Sequence, residues 1–226
     1  MFVGHYAPVF ALAATRRSPG LAAGFIAVQL VDIGFFTLSF FGIERWALNP
    51  ALSGFMPIDL YFMPYTHSLV GSAAWAVAAA LVTAAVTPAG RRMVHALLVG
   101  LLVLSHWVLD LVVHRHDLPL VHDAGAKLGF GLWNHPSAVV PLELGILLAS
   151  FALFTAATKP RGQDDATAVR GRRAPWVVLG VLLGVQAINW FTPPTADQTA
   201  FTVLGLGAYF GLAALAGWLD RTRVAA

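Results

Sequence analysis

The 226-residue sequence predicts an all-α fold, a polytopic transmembrane helix bundle with six full spans and a short N-terminal half-helix. Three observations predict it. The chain is 58% hydrophobic and only 11% charged, far below the roughly 25% of soluble domains. Its apolar residues gather in runs near the ~20 residues that a helix needs to cross hydrocarbon. Its basic residues fall in alternate loops between those runs.

The first run, 3 to 14, is too short to span. It has no basic region before it and no small-residue cleavage signature after it, so it is read as structure and not as a removed signal peptide. The full spans are 21 to 43, 67 to 87, 93 to 113, 136 to 158, 175 to 191 and 199 to 219. Arg16, Arg17, Arg91, Arg92, Lys159, Arg161, Arg170, Arg172, Arg173, Arg221 and Arg223 occupy one set of loops. That is 11 of the 14 basic residues. The positive-inside rule then puts loops 15 to 20, 88 to 92, 159 to 174 and the C-terminus in the cytoplasm, and loops 44 to 66 and 114 to 135 outside. This distribution also explains the net charge of +3, which is a topology signal and not a nucleic-acid footprint.

The chain reads as one integral membrane domain, 1 to 226. Residues 1 to 158 hold the helices rich in ionisable groups, 159 to 174 form a flexible charged cytoplasmic linker, and 175 to 226 supply two scaffold helices. Trp46, Trp133, Trp176, Trp190 and Trp218 lie near segment ends, as interfacial anchors do. Gly20/Gly24, Gly180/Gly184 and Gly207/Gly211 have the small-xxx-small spacing that lets helices pack closely. Cysteine is absent, which excludes disulfides, thiolate-ligated zinc and thiol catalysis.

Function is expected where ionisable groups lie inside spans, because each costs at least a few kcal/mol there unless partnered. With a rise of about 1.5 Å per residue, Asp32 lies roughly 18 Å from the cytoplasmic end of its helix, and His106 and Asp110 lie roughly 20 to 25 Å from theirs. His67 opens its helix from the outer side, and His5 comes out roughly 15 Å deep. Five residues from four segments thus share one depth. His106, Asp110 and His114 stand at i, i+4 and i+8, close to one helical face. Histidines and carboxylates without cysteine suit a divalent transition metal, zinc first, with manganese and iron also accommodated. His95, at the cytoplasmic end, reads as structural or interfacial.

Gly4-His5-Tyr6, Asp32, Thr66-His67-Ser68-Leu69 and Ser105-His106 with Asp110 resemble, in this order, the bacterial membrane-bound metal-dependent hydrolases, the YdjM-like proteins. The order His, Asp, His, His-x-x-x-Asp is also similar to the ligand order of the zinc-dependent phospholipases C, whose metal cluster hydrolyses phosphodiesters. The resemblance covers roughly residues 4 to 145 and implies a bacterial inner-membrane hydrolase. Two departures are visible. Asp32-Ile33-Gly34 has a single carboxylate, and Pro64-Tyr65 stands where the family often has a basic residue, so metal count and phosphate recognition stay open.

Metal ligands are therefore expected among His5, Asp32, His67, His106, Asp110 and His114. Asp59, Asp117 and Glu143 are the candidate catalytic bases. Arg115 and Lys127 are expected to bind an anionic substrate, or else only headgroups or solvent. His135 either shares a helical face with Glu143 as a further substrate contact or is a solvated neighbour of its helix start. The loop 44 to 66, with Pro50, Pro57 and Pro64 and the apolar Phe55, Met56, Tyr61 and Phe62, is expected to lie constrained at the membrane surface and to lid the site. The expected activity is hydrolysis of a phosphate ester or related ester bond in a lipid or membrane-proximal substrate. A proton or metal-ion transporter and a haem protein with two histidine ligands are the rival expectations.

Overall fold

Residues 1–15, 17–52, 56–162 and 165–226 are described by the structure, a computed structural model. Arg16, Phe55 and the linker residues Gln163 and Asp164 lie outside the described residues. A 3-10 turn, Val3–Tyr6, leads into α1 (Ala7–Ala13). α2 (Leu21–Val28) and α3 (Leu30–Phe40) follow, then a hairpin of β1 (Arg45–Leu48) and β2 (Ile58–Phe62). α4 (Leu69–Val86) and α5 (Ala89–Val113) form an antiparallel pair. The two-residue strands β3 (Leu118–Pro119) and β4 (Lys127–Leu128) pair in the loop before α6 (Pro136–Ala157). β5 (Thr158–Pro160), α7 (Asp165–Phe191), α8 (Gln198–Asp220) and β6 (Arg223–Ala225) complete the chain.

α4 to α8 are each long and apolar enough to cross a membrane, and the α2–α3 pair supplies a sixth crossing bent by 53°. The expected all-α bundle is thus present, with α1 as the half-helix. Tyr6, Val9 and Phe10 of the N-terminal segment are fully buried. Phe10 meets the rings of Phe25, Phe151 and Phe154. Rather than capping the bundle, α1 is threaded into its middle.

Span 21 to 43 is not one straight helix. Gln29 leaves helical geometry at ψ 5°, with neither proline nor glycine at the break. The cause is a side chain entering the hydrogen-bond ladder: the imidazole of His106 takes the Val28 carbonyl at 2.6 Å. A backbone acceptor is thereby handed from its own helix to a neighbour.

The expected flexible linker is also corrected. β5 pairs antiparallel with β6, and α7 begins at Asp165, about ten residues before the apolar run does. The pairing is held by Arg223, whose guanidinium donates to Thr158 Oγ1 and to the carbonyls of Thr155, Thr158 and Gly171. Those carbonyls include the otherwise unsatisfied C-terminal acceptors of α6. At the same end Asp220 accepts from the Leu21 N–H that opens α2.

Trp46 and Trp133 are buried, at 3% and 5% exposure, and so are core residues and not interfacial anchors. A Cβ on Gly24 would strike Val9, but Gly180, Gly184, Gly207 and Gly211 have no described atom within 4 Å of such a Cβ. Close packing within the bundle therefore applies to Gly24 and not to those two pairs.

Arg223→Ala removes four hydrogen bonds donated by the guanidinium and leaves helix-terminal carbonyls without donors. The expected loss is about 2 kcal/mol, read as a lowered unfolding temperature in detergent with metal content unchanged.

Candidate metal centre

α5 supplies the backbone of the site. Its buried face runs Val99, Leu102, Val103, His106, Trp107 and Asp110, so the i, i+4 stripe points inward as its spacing requires. His114 is the C-cap residue just beyond the helix, and its N–H still closes on the Asp110 carbonyl. Two glycines at positive φ, Gly129 and Gly131, fold the following loop back over this end. Phe130 N–H donates to Leu111 and Gly131 N–H to the His114 carbonyl. A Cβ on Gly129 would collide with the Arg115 carbonyl, so only glycine allows this close return.

The segment before α4 brings in His67. Ser68 caps α4 by accepting from Gly71 N–H and donates to the Pro64 carbonyl. Trp107 Nε1 donates to the His67 carbonyl at 3.0 Å. Asp32 arrives on α3 and His5 on the N-terminal turn.

Three imidazoles are oriented in the same way. His106 Nδ1 meets the Val28 carbonyl, which only accepts, so Nδ1 carries the proton. His114 Nδ1 meets the Asp117 carboxylate at 2.9 Å with the same consequence. Thr66 Oγ1 donates to Glu44 Oε2 at 2.6 Å and so accepts from His67 Nδ1 at 2.9 Å. In the neutral rings all three Nε2 atoms therefore present lone pairs.

Those lone pairs face carboxylate oxygens. His106 Nε2 lies 3.0 Å from Asp110 Oδ2 and 3.5 Å from Asp32 Oδ1. His67 Nε2 lies 3.2 Å from Asp32 Oδ1 and 3.8 Å from Asp110 Oδ2. His114 Nε2 lies 3.5 Å from Asp110 Oδ2. The 3.0 Å approach at His106 is an ion-pair distance, yet Nε2 makes no hydrogen bond there; with the proton held on Nδ1, a lone pair faces a carboxylate oxygen. Such a contact is repulsive unless a cation lies between. Protons would put three imidazolium charges side by side, with rings 5.6 and 5.9 Å apart. A divalent ion among these donors removes the repulsion without adding those charges. Donors about 2.0 to 2.1 Å from a tetrahedral zinc are separated by roughly 3.3 Å, and the distances above bracket that edge.

The groups that can hold an ion are His5 with His106 and Asp110, Asp32 with His67 and His106, and His67 with Asp110 and His114. They overlap through His67, His106 and Asp110. His5 has a second task, since its ring stacks on His106 at 3.8 Å and its Nε2 reaches Asp110 Oδ1 at 3.1 Å. The Met1 amino group lies 2.9 Å from the same oxygen. Burial lowers the proton affinity of His114, but the Asp110 and Asp117 carboxylates more than offset it and hold its pKa above the ordinary histidine value. The field that favours a proton there favours a metal cation equally.

All six expected ligands thus converge. Of the other expected site residues, Asp117 holds His114, and Glu143 lines the cavity in front of the cluster and accepts from Phe2 N–H. Asp59 is not brought in. Its neighbours Ile58 and Leu60 line the cavity, and strand alternation turns Asp59 to the other face. Arg115 is held by the Met56 carbonyl and Asn134 Oδ1, and Lys127 by Asp123; neither lines the cavity. His135 is exposed at the start of α6, whereas Glu143 is buried. The hairpin does cover the site, through Trp46, Ile58 and Leu60.

Sequence reasoning missed Glu44 and Tyr209. Glu44 is 1% exposed and accepts from Tyr65 N–H, Thr66 N–H and Thr66 Oγ1. Tyr209 donates to Asp32 Oδ2 at 2.8 Å, leaving Oδ1 to the cluster. Gln186 of α7 accepts from Val3 N–H. The two helices read as scaffold therefore touch the site. A tyrosine and a glutamine inside apolar runs were the available signal.

No protein-family model matches the chain, and no curated protein or solved structure matches it.

Elemental analysis of purified protein is expected to find a transition metal that His67→Ala and His106→Ala lose; full metal content in both variants would refute the centre. Glu44→Gln and Tyr209→Phe leave every ligand in place and are expected to weaken metal affinity about 10- to 100-fold in chelator competition. Proton and ion compete for the His114 lone pair, so metal affinity is expected to rise with pH through and beyond the ordinary histidine range. Asp117→Asn removes one of the charges that raise the His114 pKa, so in that variant the rise moves to lower pH.

Proposed function

We propose that the protein is an integral membrane metal-dependent hydrolase acting on a phosphate ester or related ester bond of a lipid or membrane-proximal substrate. The observation that carries this reading is the set of three imidazoles, each pinned through Nδ1 by an acceptor, aiming Nε2 at the oxygens of Asp32 and Asp110 beside a cavity. Asp32, His67, His106, Asp110 and His114 supply the donors for one or more ions, and His5 positions Asp110. Zinc suits these donors best, and manganese and iron use the same ones. When bound, the ion supplies a Lewis acid that polarises the scissile group and lowers the pKa of water toward about 7.

The chain's own groups do the rest. Glu143, at the cavity wall, takes a proton from the attacking water as general base. Tyr209 holds Asp32 in one orientation. The apolar roof of Trp46, Ile58 and Leu60 keeps bulk water away and so strengthens each electrostatic contact beneath it. The order of His5, Asp32, His67, His106 and Asp110, similar to that of the YdjM-like hydrolases, supports the reading. The basic loops at the far end support placement in a bacterial inner membrane, with the C-terminus cytoplasmic and the site toward the outer face.

Zinc-loaded protein is expected to hydrolyse para-nitrophenyl phosphodiesters, to lose that activity to a chelator and to regain it with zinc. Asp110→Asn is expected to lower kcat/KM at least about 100-fold, and Glu143→Gln to lower kcat by about 10² to 10⁴ while metal content stays full. Metal-replete protein that turns over neither phosphate esters nor carboxylic esters would sink the proposal.

A further inference from the structure

The cluster opens into a cavity of about 790 Å³ whose lining changes along its length. Asp32, His67, Asp110, His114 and Glu143 stand at one end. Phe35, whose ring meets that of His67, leads on to an apolar wall of Phe36 from α3, Trp46 and Ile58 from the hairpin, and Phe201 and Leu204 from α8, while Gln186, Asn189, Thr192 and Thr195 give the α7 side a polar share of the lining. A hydrated substrate gains nothing from such a wall, whereas each buried CH₂ of a hydrocarbon chain is worth about 0.8 kcal/mol.

The position of the mouth says where such a chain comes from. Ile188 and Phe191 of α7 and Leu204 of α8 line the cavity and are also 63%, 83% and 68% exposed on the outside of the bundle. They open it on the apolar flank between α7 and α8. Leu204 lies six residues into α8, roughly 9 Å along it, so the opening extends down the span and is not confined to the helix ends. Gly205 and Ala208 keep the α8 wall low between this mouth and Tyr209; a Cβ on Gly205 would already sit 3.1 Å from the Phe36 ring. Met56, Pro57 and Ile58 of the hairpin and residues 192–195 between α7 and α8 line the cavity toward the loop end.

Resting on the hydrolase reading, we infer that this cavity is the subsite for one hydrocarbon chain of an amphiphilic substrate, which enters sideways from the bilayer between α7 and α8. The chain lies along Phe36, Phe201 and Leu204, and its polar ester linkage reaches the His/Asp cluster. α7 and α8 are then the specificity wall of the site, and a water-soluble ester is a poor substrate.

The test has a binding arm and a rate arm, both on full-length protein in nanodiscs. In the first, dodecyl phosphate carrying a diazirine at the chain end is photoactivated and the labelled peptides are mapped. Label is expected at Phe36 and Trp46, which line the cavity and are buried from the surrounding lipid, and is expected to fall at least about tenfold in Ala208→Phe, which fills the channel. Label confined to outward-facing residues such as Val77 and Leu81, as bulk lipid contact would give, overturns the chain site. Mapping the unsubstituted protein decides this even where Ala208→Phe does not fold. In the second arm, dodecyl and butyl para-nitrophenyl phosphodiesters are compared on the zinc-loaded protein. The dodecyl ester is expected to have at least about tenfold higher kcat/KM, through KM, and Ala208→Phe to remove that advantage. Turnover indifferent to chain length overturns the inference and leaves hydrolysis standing. Cavity labelling without turnover of either ester overturns the hydrolase reading and leaves the chain site.

Discussion

Asp110 is the residue on which the rest of the structure depends. Its Oδ1 receives His5 Nε2 and the Met1 amino group, and its Oδ2 faces the Nε2 atoms of His106, His114 and His67. A carboxylate inside an apolar bundle is tolerable only with compensation of this density. The compensation dictates the architecture. α1 packs into the middle of the bundle, and His5 in the turn ahead of it reaches Asp110. The chain before α4 is tied by its own side chains and by Trp107 because His67 must present one ring edge to the same oxygen.

Around that centre, each ligand is fixed by a device belonging to a different level of structure. For His106 it is a backbone break, because α2 gives up the Val28 carbonyl at the kink. For His67 it is a side-chain relay, Glu44 to Thr66 to Nδ1. For His114 it is a neighbouring carboxylate three residues on, and for Asp32 a phenol from the far end of the chain. Since each device occupies the ligand's second polar atom, it sets both tautomer and direction. The donor atoms are therefore positioned before any ion arrives, and ion binding need not pay for ordering them.

How far this was legible in the sequence follows from the range of the interactions involved. The His106–Asp110–His114 stripe is a matter of helical period, and His67 and Asp32 are recognisable because ionisable groups in apolar runs demand partners. The bundle and its alternating basic loops are likewise written in composition. The kink at Gln29 was not readable, because neither proline nor glycine marks it and its cause lies 77 residues away in His106. Glu44 looked like an ordinary loop acid, since its value comes from Thr66, which only tertiary structure brings to it. Tyr209 was hidden for the opposite reason: in an apolar run a tyrosine passes as core. The linker misled because its charge suggested disorder, whereas Arg223, distant in sequence, supplies the donors that order it.

The cluster is hard to account for as a device for stability. Buried ionic groups are at best near break-even against well-packed apolar residues of the same volume, and this bundle already has a continuous aromatic and aliphatic core around Phe10, Phe25 and Phe151. Replacing two carboxylates and four imidazoles by leucines and phenylalanines would make a simpler membrane bundle. Nor is the group arranged as ion pairs arranged for cohesion would be. Three imidazoles have their N–H groups turned away to outlying acceptors and their lone pairs turned toward negative oxygens, an orientation that is unfavourable by itself and favourable with a cation in the middle. The placement of the cavity points the same way. Its polar end coincides with that orientation and its apolar end reaches the bundle's flank, so the residues that make the bundle locally less stable are those that a substrate drawn from the bilayer would meet last.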